Sequence, residues 1–244
     1  MIGFLGLVRL SKPTLSRPQG VAPVSGSSAR RCESRAFASR SLYVASKSRQ
    51  SHLRYTDKDM QRTLWVIAGV LELLLLHAAI LWYMGQPLMY EGGYIKLWHG
   101  VVVSPENSQH LTDWYTLSHV IHGILFYAAL AFLFPRWPVG IRLLVALGVE
   151  ISWELFENTD MIINRYREQA LAQGYFGDSI VNSVGDVAAI IIGFFAAWRL
   201  PAWAAVALII ALELIALYII RDSLTLNIIQ LIHPVEQIGN WQAS

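Results

Sequence analysis

Residues 64–84 read LWVIAGVLELLLLHAAILWYM. Apart from Glu72 and His77, every residue in this run is apolar or an aromatic suited to a membrane interface. At ~1.5 Å rise per residue, about 20 residues cross a ~30 Å hydrocarbon layer, so the run is long enough to span. Similar runs recur at about 117–134, 139–158, 179–198 and 202–220. The second stops at Pro135, the third starts after Pro138, and the fifth starts after Pro201. Proline cannot continue a helical hydrogen-bond ladder, so these positions read as helix stops and starts. The expected fold is all-α: a polytopic transmembrane bundle of about five helices within residues 60–244.

Composition agrees. Charged residues make up 15% of the chain and hydrophobic ones 55%, where a soluble domain carries about 25% charged residues. The single cysteine, Cys32, excludes an intrachain disulfide framework and a thiolate metal cluster. Residues 1–59 differ from the rest. Arg9, Lys12, Arg17, Arg30, Arg31, Arg35, Arg40, Lys47, Arg49 and Arg54 are balanced up to that point by Glu33 alone. Such a segment cannot bury a core and reads as a disordered basic tail. Its composition is also that of an organelle transit peptide, and the other reading takes Met60 as the natural start. Because the basic residues concentrate there, a chain-wide nucleic-acid interface is not supported; the expected partner is membrane lipid, and a protein partner is left open.

Lysine and arginine in short loops set orientation. Lys47, Arg49, Arg54, Lys58 and Arg62 precede the first helix, Arg136 and Arg142 flank the second turn, and Arg199 lies between the last two helices. An alternating path puts these on one side, the cytoplasmic one. The expected location is therefore an inner membrane, with the N-terminus cytoplasmic and the C-terminus periplasmic.

On this path the ionisable residues gather towards the outer ends. His119 and His122 open the second helix, Glu150, Glu154 and Glu157 close the third, and Asp178, Asn182 and Asp186 open the fourth. Residues three or four apart share a helix face, and a charged group facing lipid mid-bilayer costs at least ~2.5–3.5 kcal/mol. The three stripes should therefore face one outward pocket. His119, His122, Glu154, Glu157, Asp178 and Asn182 are the candidate catalytic residues. Imidazole and carboxylate donors also suit a divalent metal, for which His119, His122, Glu154 and Glu157 are the candidate ligands. Without metal the same groups can serve as general acid and base. The plain structural alternative is that they hold the helices together by buried hydrogen bonds. His77 opposite a helix-two histidine would suit a haem, and Glu72 and Glu213 are isolated carboxylates. In the first outer loop, His99, His110 and Asp113 are candidates for a cap over the pocket. Arg165, Arg167 and Arg221 are candidate anion contacts.

Six stretches carry a resemblance: YIKLWHG at 94–100, SQHLTDWY at 108–115, SHVIHG at 118–123, WELFEN at 153–158, GDSIVNS at 177–183 and RDSLTLN at 221–227. The chain resembles a bacterial multipass membrane family catalogued as domain of unknown function 2585. The likeness covers about residues 64–234. It implies an inner-membrane protein and no particular activity. The cysteine pair that the resemblance implies before the Gly-Tyr of the first loop is absent, since the stretch here is Met89-Tyr-Glu-Gly92. A weaker similarity is to VanZ-like membrane proteins, through Asp113, His119, Tyr127, Glu154 and Asp178-x-x-x-Asn182-x-x-Gly185. It implies a cell-envelope role, with lipid-linked substrates. Three functions follow from these readings: an interface enzyme or binding protein acting on a lipid or envelope molecule, a non-catalytic scaffold or assembly component, and a proton- or ion-coupled transporter.

Overall fold

A computed structural model describes residues 57–244. The expected disordered tail lies, up to residue 56, outside the described residues. The described chain is helical, with α1 (Asp57–Met84), α2 (Thr116–Leu133), α3 (Val139–Glu157), α4 (Asp160–Arg167), α5 (Ile180–Arg199), α6 (Ala202–Ile220), α7 (Leu224–Ile232) and α8 (Glu236–Ala243). The expected long helices are present within a few residues of their expected bounds, except that α1 begins earlier. Pro138 caps α3 and Pro201 caps α6, as their fixed φ requires.

Four helices, α1, α2, α5 and α6, are long and apolar enough to cross a membrane. They expose Leu71, Leu75, Trp82, Phe132, Ile192, Trp203, Ile210 and Tyr218 outward. So many large apolar side chains on the outside fit lipid as the surrounding medium. The fifth expected span, α3, is 19 residues long but carries Arg142, Glu150, Glu154 and Glu157. Glu150 and Glu154, in its second half, are turned inward, at 0% and 1% exposed.

The core is built around α5. Val187, Ile190 and Phe194 pack on Leu143, Ala146, Leu147 and Ile151 of α3. The α2 backbone lies directly against α5, because a Cβ at Gly123 would collide with the Ile190 carbonyl and one at Gly193 with the Val120 carbonyl. Thr116 reaches Asp186 one layer away, so α2 and α5 run parallel. On the far side, Val66 meets Gly140 and Gly69 meets Leu144, so α1 runs parallel to α3. Consequently Lys58, Arg62, Arg136, Arg142 and Arg199 lie towards one end of the bundle, and the ionisable stripes lie towards the other.

That polar end is covered by the loop 85–115 and by α4 and α7. The loop satisfies the N–H groups that the start of α5 leaves free. Ser179 N–H donates to the Ser108 carbonyl (2.9 Å), Ile180 N–H to Pro87 (2.9 Å) and Val181 N–H to Leu88 (3.1 Å). The Ser179 hydroxyl accepts from Asn182 N–H (3.2 Å). The loop is thereby fastened to the helix that carries part of the polar stripe.

Candidate functional site

The third helix delivers Glu150 and Glu154 one turn apart, facing α2 and α5. Glu150 is the hub. Its Oε1 lies 2.5 Å from His119 Nδ1 and its Oε2 lies 3.3 Å from His122 Nδ1. Glu154 follows one turn later and is equally buried. Its Oε1 is 3.3 Å from His119 Nδ1, and its Oε2 accepts the Ser183 hydroxyl proton at 2.5 Å. A hydroxyl has one proton, so Ser183 Oγ accepts from His77 Nε2 at 3.0 Å. On the other side of His119, Nε2 stands 3.9 Å from Asp186 Oδ2, and the Thr116 hydroxyl donates to Asp186 Oδ1 at 2.7 Å. A connected chain thus runs from His77 through Ser183, Glu154, His119 and Glu150 to His122, joining α1, α5, α3 and α2. His77 is committed to Ser183, not placed opposite a second histidine as haem ligation would need.

His119, His122, Glu157, Asp178 and Asp186 line an open pocket with about 80 Å³ of free volume. Tyr115, Tyr166 and Tyr175 add phenol groups, and Trp153, Leu224, Ile228 and Leu231 add apolar lining. Asp178 is fixed by Asn158, whose side-chain amide donates to Asp178 Oδ2 (2.9 Å) and whose Oδ1 accepts from Asp178 N–H (2.7 Å). Burial pushes the Asp178 carboxyl up to about 6.

Of the six candidate residues, His119, His122, Glu157 and Asp178 line the pocket. Glu154 lies behind His119. Asn182 has a different task, since its amide donates to the His110 carbonyl at 2.7 Å and pins the loop. The cap residues also divide. Asp113 accepts from Ser108 N–H (3.1 Å) and Tyr115 N–H (2.8 Å) and so shapes the loop. Burial raises its carboxyl above the usual range. His99 and His110 surround Glu106 in a separate cluster, where His110 Nε2 is 2.8 Å from Glu106 Oε2 and the Lys96 ammonium is bonded to the same oxygen. The Lys96 and His110 hydrogen bonds hold the Glu106 carboxyl down at about 2. The loop reaches the pocket through Asn107 and Ser108.

The three arginines are spent on the protein itself. Arg165 donates to the Leu231 carbonyl (2.9 Å) and Glu168 (2.6 Å), Arg167 to the Tyr175 carbonyl (2.5 Å), and Arg221 to the Trp241 carbonyl (3.1 Å). None of them lines the pocket. They tie α4 to α7 and to the turn at Tyr175, and the end of α6 to α8.

Sequence reasoning left Glu150 off the candidate set although it lies on the Glu154 stripe, four residues earlier. It also missed the tyrosines and α7. The signal for α7 was present: Leu224, Asn227, Ile228 and Leu231 recur at the spacing of one helix face.

Comparison with known proteins identifies relatives across this whole region. The chain is 48% identical over 184 residues to a UPF0314 protein of Sphingopyxis alaskensis, covering 75% of this chain and 97% of the relative. It is 51% identical over 174 residues to a UPF0314 protein of Brucella anthropi, covering 71% and 88%. A UPF0314 protein of Paracoccus denitrificans is 47% identical over 173 residues, covering 70% and 90%. No solved structure matches. A family model described as "Protein of unknown function (DUF2585)" matches residues 81–244, a span containing all the pocket-lining residues, and the chain belongs to that family.

Proposed function

We propose that this protein is a multi-pass protein of the bacterial inner membrane whose pocket, on the outer side, binds and processes the polar end of a lipid or other cell-envelope molecule. The observation that carries this reading is the pocket's mixed lining. It combines the ionisable His119, His122, Glu157 and Asp178 with the apolar Trp153, Leu224, Ile228 and Leu231. Such a cleft suits an amphiphile, with its polar end among the ionisable groups and its chains left to the surrounding lipid. The free volume of about 80 Å³ supports a small polar moiety rather than a whole lipid. His119 and Glu150 supply an acid–base pair within hydrogen-bond distance.

Two other functions have weaker support. A scaffold role would be favoured by full internal pairing, as seen at Asn182 and Asp113, yet Glu150 Oε2 and Glu154 Oε1 have no hydrogen-bond partner. A transport role would need polar residues continuing to the basic end, where Leu143, Leu147, Ile190 and Phe194 form an apolar plug.

The test is mass spectrometry of amphiphiles retained by the purified full chain in nanodiscs. The expected result is a retained lipid or envelope intermediate in the wild type and its loss in His122→Ala and Ile228→Glu. Equal retention of bulk lipid by all three proteins would overturn the assignment.

A further inference from the structure

We propose that His119, His122 and Glu150 form a binding site for one divalent transition-metal ion, of the zinc class, at the floor of the pocket. The proposal concerns the same site as the function above and does not depend on which molecule the pocket takes.

Three observations carry it. The first is spacing. His122 Nδ1 and Glu150 Oε2 are 3.3 Å apart, and one donor atom each from His119, His122 and Glu150 lie within 4.8 Å of one another. Glu150 Oε2 has no hydrogen-bond partner, and the carboxylate is buried. Bonds of ~2.0–2.1 Å to a tetrahedral ion put neighbouring donor atoms about 3.3 Å apart, so the His122–Glu150 separation is that of ligands sharing an ion. A buried carboxylate oxygen left empty beside an imidazole costs free energy unless a cation or proton satisfies it.

The second observation is charge. Glu150, Glu154, Glu157, Asp178 and Asp186 gather around three imidazoles, those of His77, His119 and His122, and the nearby arginines donate elsewhere. Fully ionised, the cluster stays anionic even with all three imidazoles protonated. A divalent ion offsets that excess, and it would draw an anionic headgroup into a pocket that otherwise repels one.

The third is the surroundings. Metal-bound histidines usually have the far ring nitrogen directed at a carboxylate, which fixes the ring. His119 Nε2 faces Asp186 at 3.9 Å, and Asp186 is itself held by Thr116. In the pocket, close-set donors form three groups: His119 with His122 and Glu150, which is the proposed site, His119 with Glu154 and Asp186, and Glu154 with Glu157 and Asp178. Two imidazoles beside one carboxylate favour zinc-class ions over magnesium or calcium, which take oxygen ligands.

The loop trio of His99, Glu106 and His110 also places its donor atoms close together. There the Lys96 ammonium already neutralises Glu106, so this trio serves as the control.

The experiment uses the full chain, purified in nanodiscs by a tag without histidines and without chelator, then incubated with zinc(II) or cobalt(II). Metal is measured by elemental analysis after gel filtration. The expected result is ~1 ion per chain, falling to under ~0.1 in His122→Ala and Glu150→Gln, with ~10–100-fold weaker binding in Asp186→Asn. Glu106→Gln should bind as wild type. Where a variant does not fold, the wild type decides alone: bound cobalt should give the visible absorption of tetrahedral nitrogen and oxygen ligation. Under ~0.1 ion per wild-type chain overturns the proposal. So does retention in His122→Ala with loss in Glu106→Gln. Failure here leaves the amphiphile test standing, and metal binding without retained amphiphile removes only the substrate reading.

Discussion

At the scale of the residue, Glu154 separates charge from shape. Its Oε2 accepts from Ser183, which in turn accepts from His77. Glutamine preserves an acceptor there and removes the negative charge. Leucine leaves the Ser183 hydroxyl without its acceptor in a buried setting, at a cost of about 1–3 kcal/mol. Glu154→Gln should therefore accumulate in membranes near the wild-type level and yet lose retained ligand, whereas Glu154→Leu should lose ligand and also melt earlier. Thermal unfolding followed in nanodiscs checks this, and equal melting temperatures for the two variants would argue against a buried chain. The residues that the sequence made legible are those for which spacing is informative. His119 and His122, like Glu154 and Glu157, share faces by helical periodicity alone. Asn182 shares a face with Asp178 and Asp186 as well, but periodicity does not reveal that its amide is engaged by a loop carbonyl 72 positions earlier. The same limit hid Glu150, because a stripe of three acids does not reveal which one lies level with two histidines on another helix.

At the scale of the element, two contacts decide whether the site is assembled. The α2–α5 approach depends on Gly123 and Gly193, each of which lacks room for a Cβ against the opposite backbone. Overpacking of this kind costs about 1–3 kcal/mol or more. Gly193→Val should lower the melting temperature clearly. By contrast, Gly148→Ala, at a helix position with open space around the Cβ, should be neutral or stabilising. A melting curve that treats the two alike would contradict the packing. The second contact is Asp222, just before α7, which accepts from Ser223 N–H (2.9 Å), the Tyr115 hydroxyl (3.3 Å) and the Gln242 amide (3.3 Å). Burial pushes its carboxyl up from 3.8 to about 6. A raised carboxyl favours the protonated form in the folded state. Stability is therefore highest below the ordinary value and falls as pH rises from 3.8 through about 6, after which the loss is constant. At 1.36 kcal/mol per unit the loss is up to ~3 kcal/mol. Asp222→Asn should lose less stability than the wild type between pH 4 and pH 7, and parallel pH profiles would refute the assignment. The positions of the long helices were legible because hydrophobic length and proline are local signals. The α7 helix itself was legible from its spacing, but its placement with α4 over the site was not, because short helices owe their place to partners distant in sequence, such as Tyr166 and Asn227.

At the scale of the whole molecule, the number of crossings depends on α3. By composition it falls outside the set of four apolar spans. Its 19 residues nevertheless extend about 28 Å at 1.5 Å per residue, close to the thickness of the hydrocarbon layer. Its inward carboxylates avoid lipid by facing α2 and α5, where the histidines stand. A helix can cross with ionisable groups when they face the bundle interior. The turn 134–138 is too short for α3 to do anything but return beside α2, and α1, α2, α5 and α6 alternate around it. Five crossings put the two ends of the bundle's path on opposite sides, whereas four would put them on the same side. Lys58, Arg62, Arg136, Arg142 and Arg199 gather at the end where α1 begins, and basic residues in short loops mark the cytoplasmic face. The C-terminus should therefore lie outside the cytoplasm, on the side of the pocket. Alkaline phosphatase fused after Ser244 should be active, and green fluorescent protein at the same point should be dark. The reverse pattern would mean that α3 does not cross, or that the bundle is inverted. A second fusion, in the turn after Pro135, separates those cases: if the first result is reversed, a cytoplasmic turn there leaves an uncrossed α3, and a periplasmic turn means inversion.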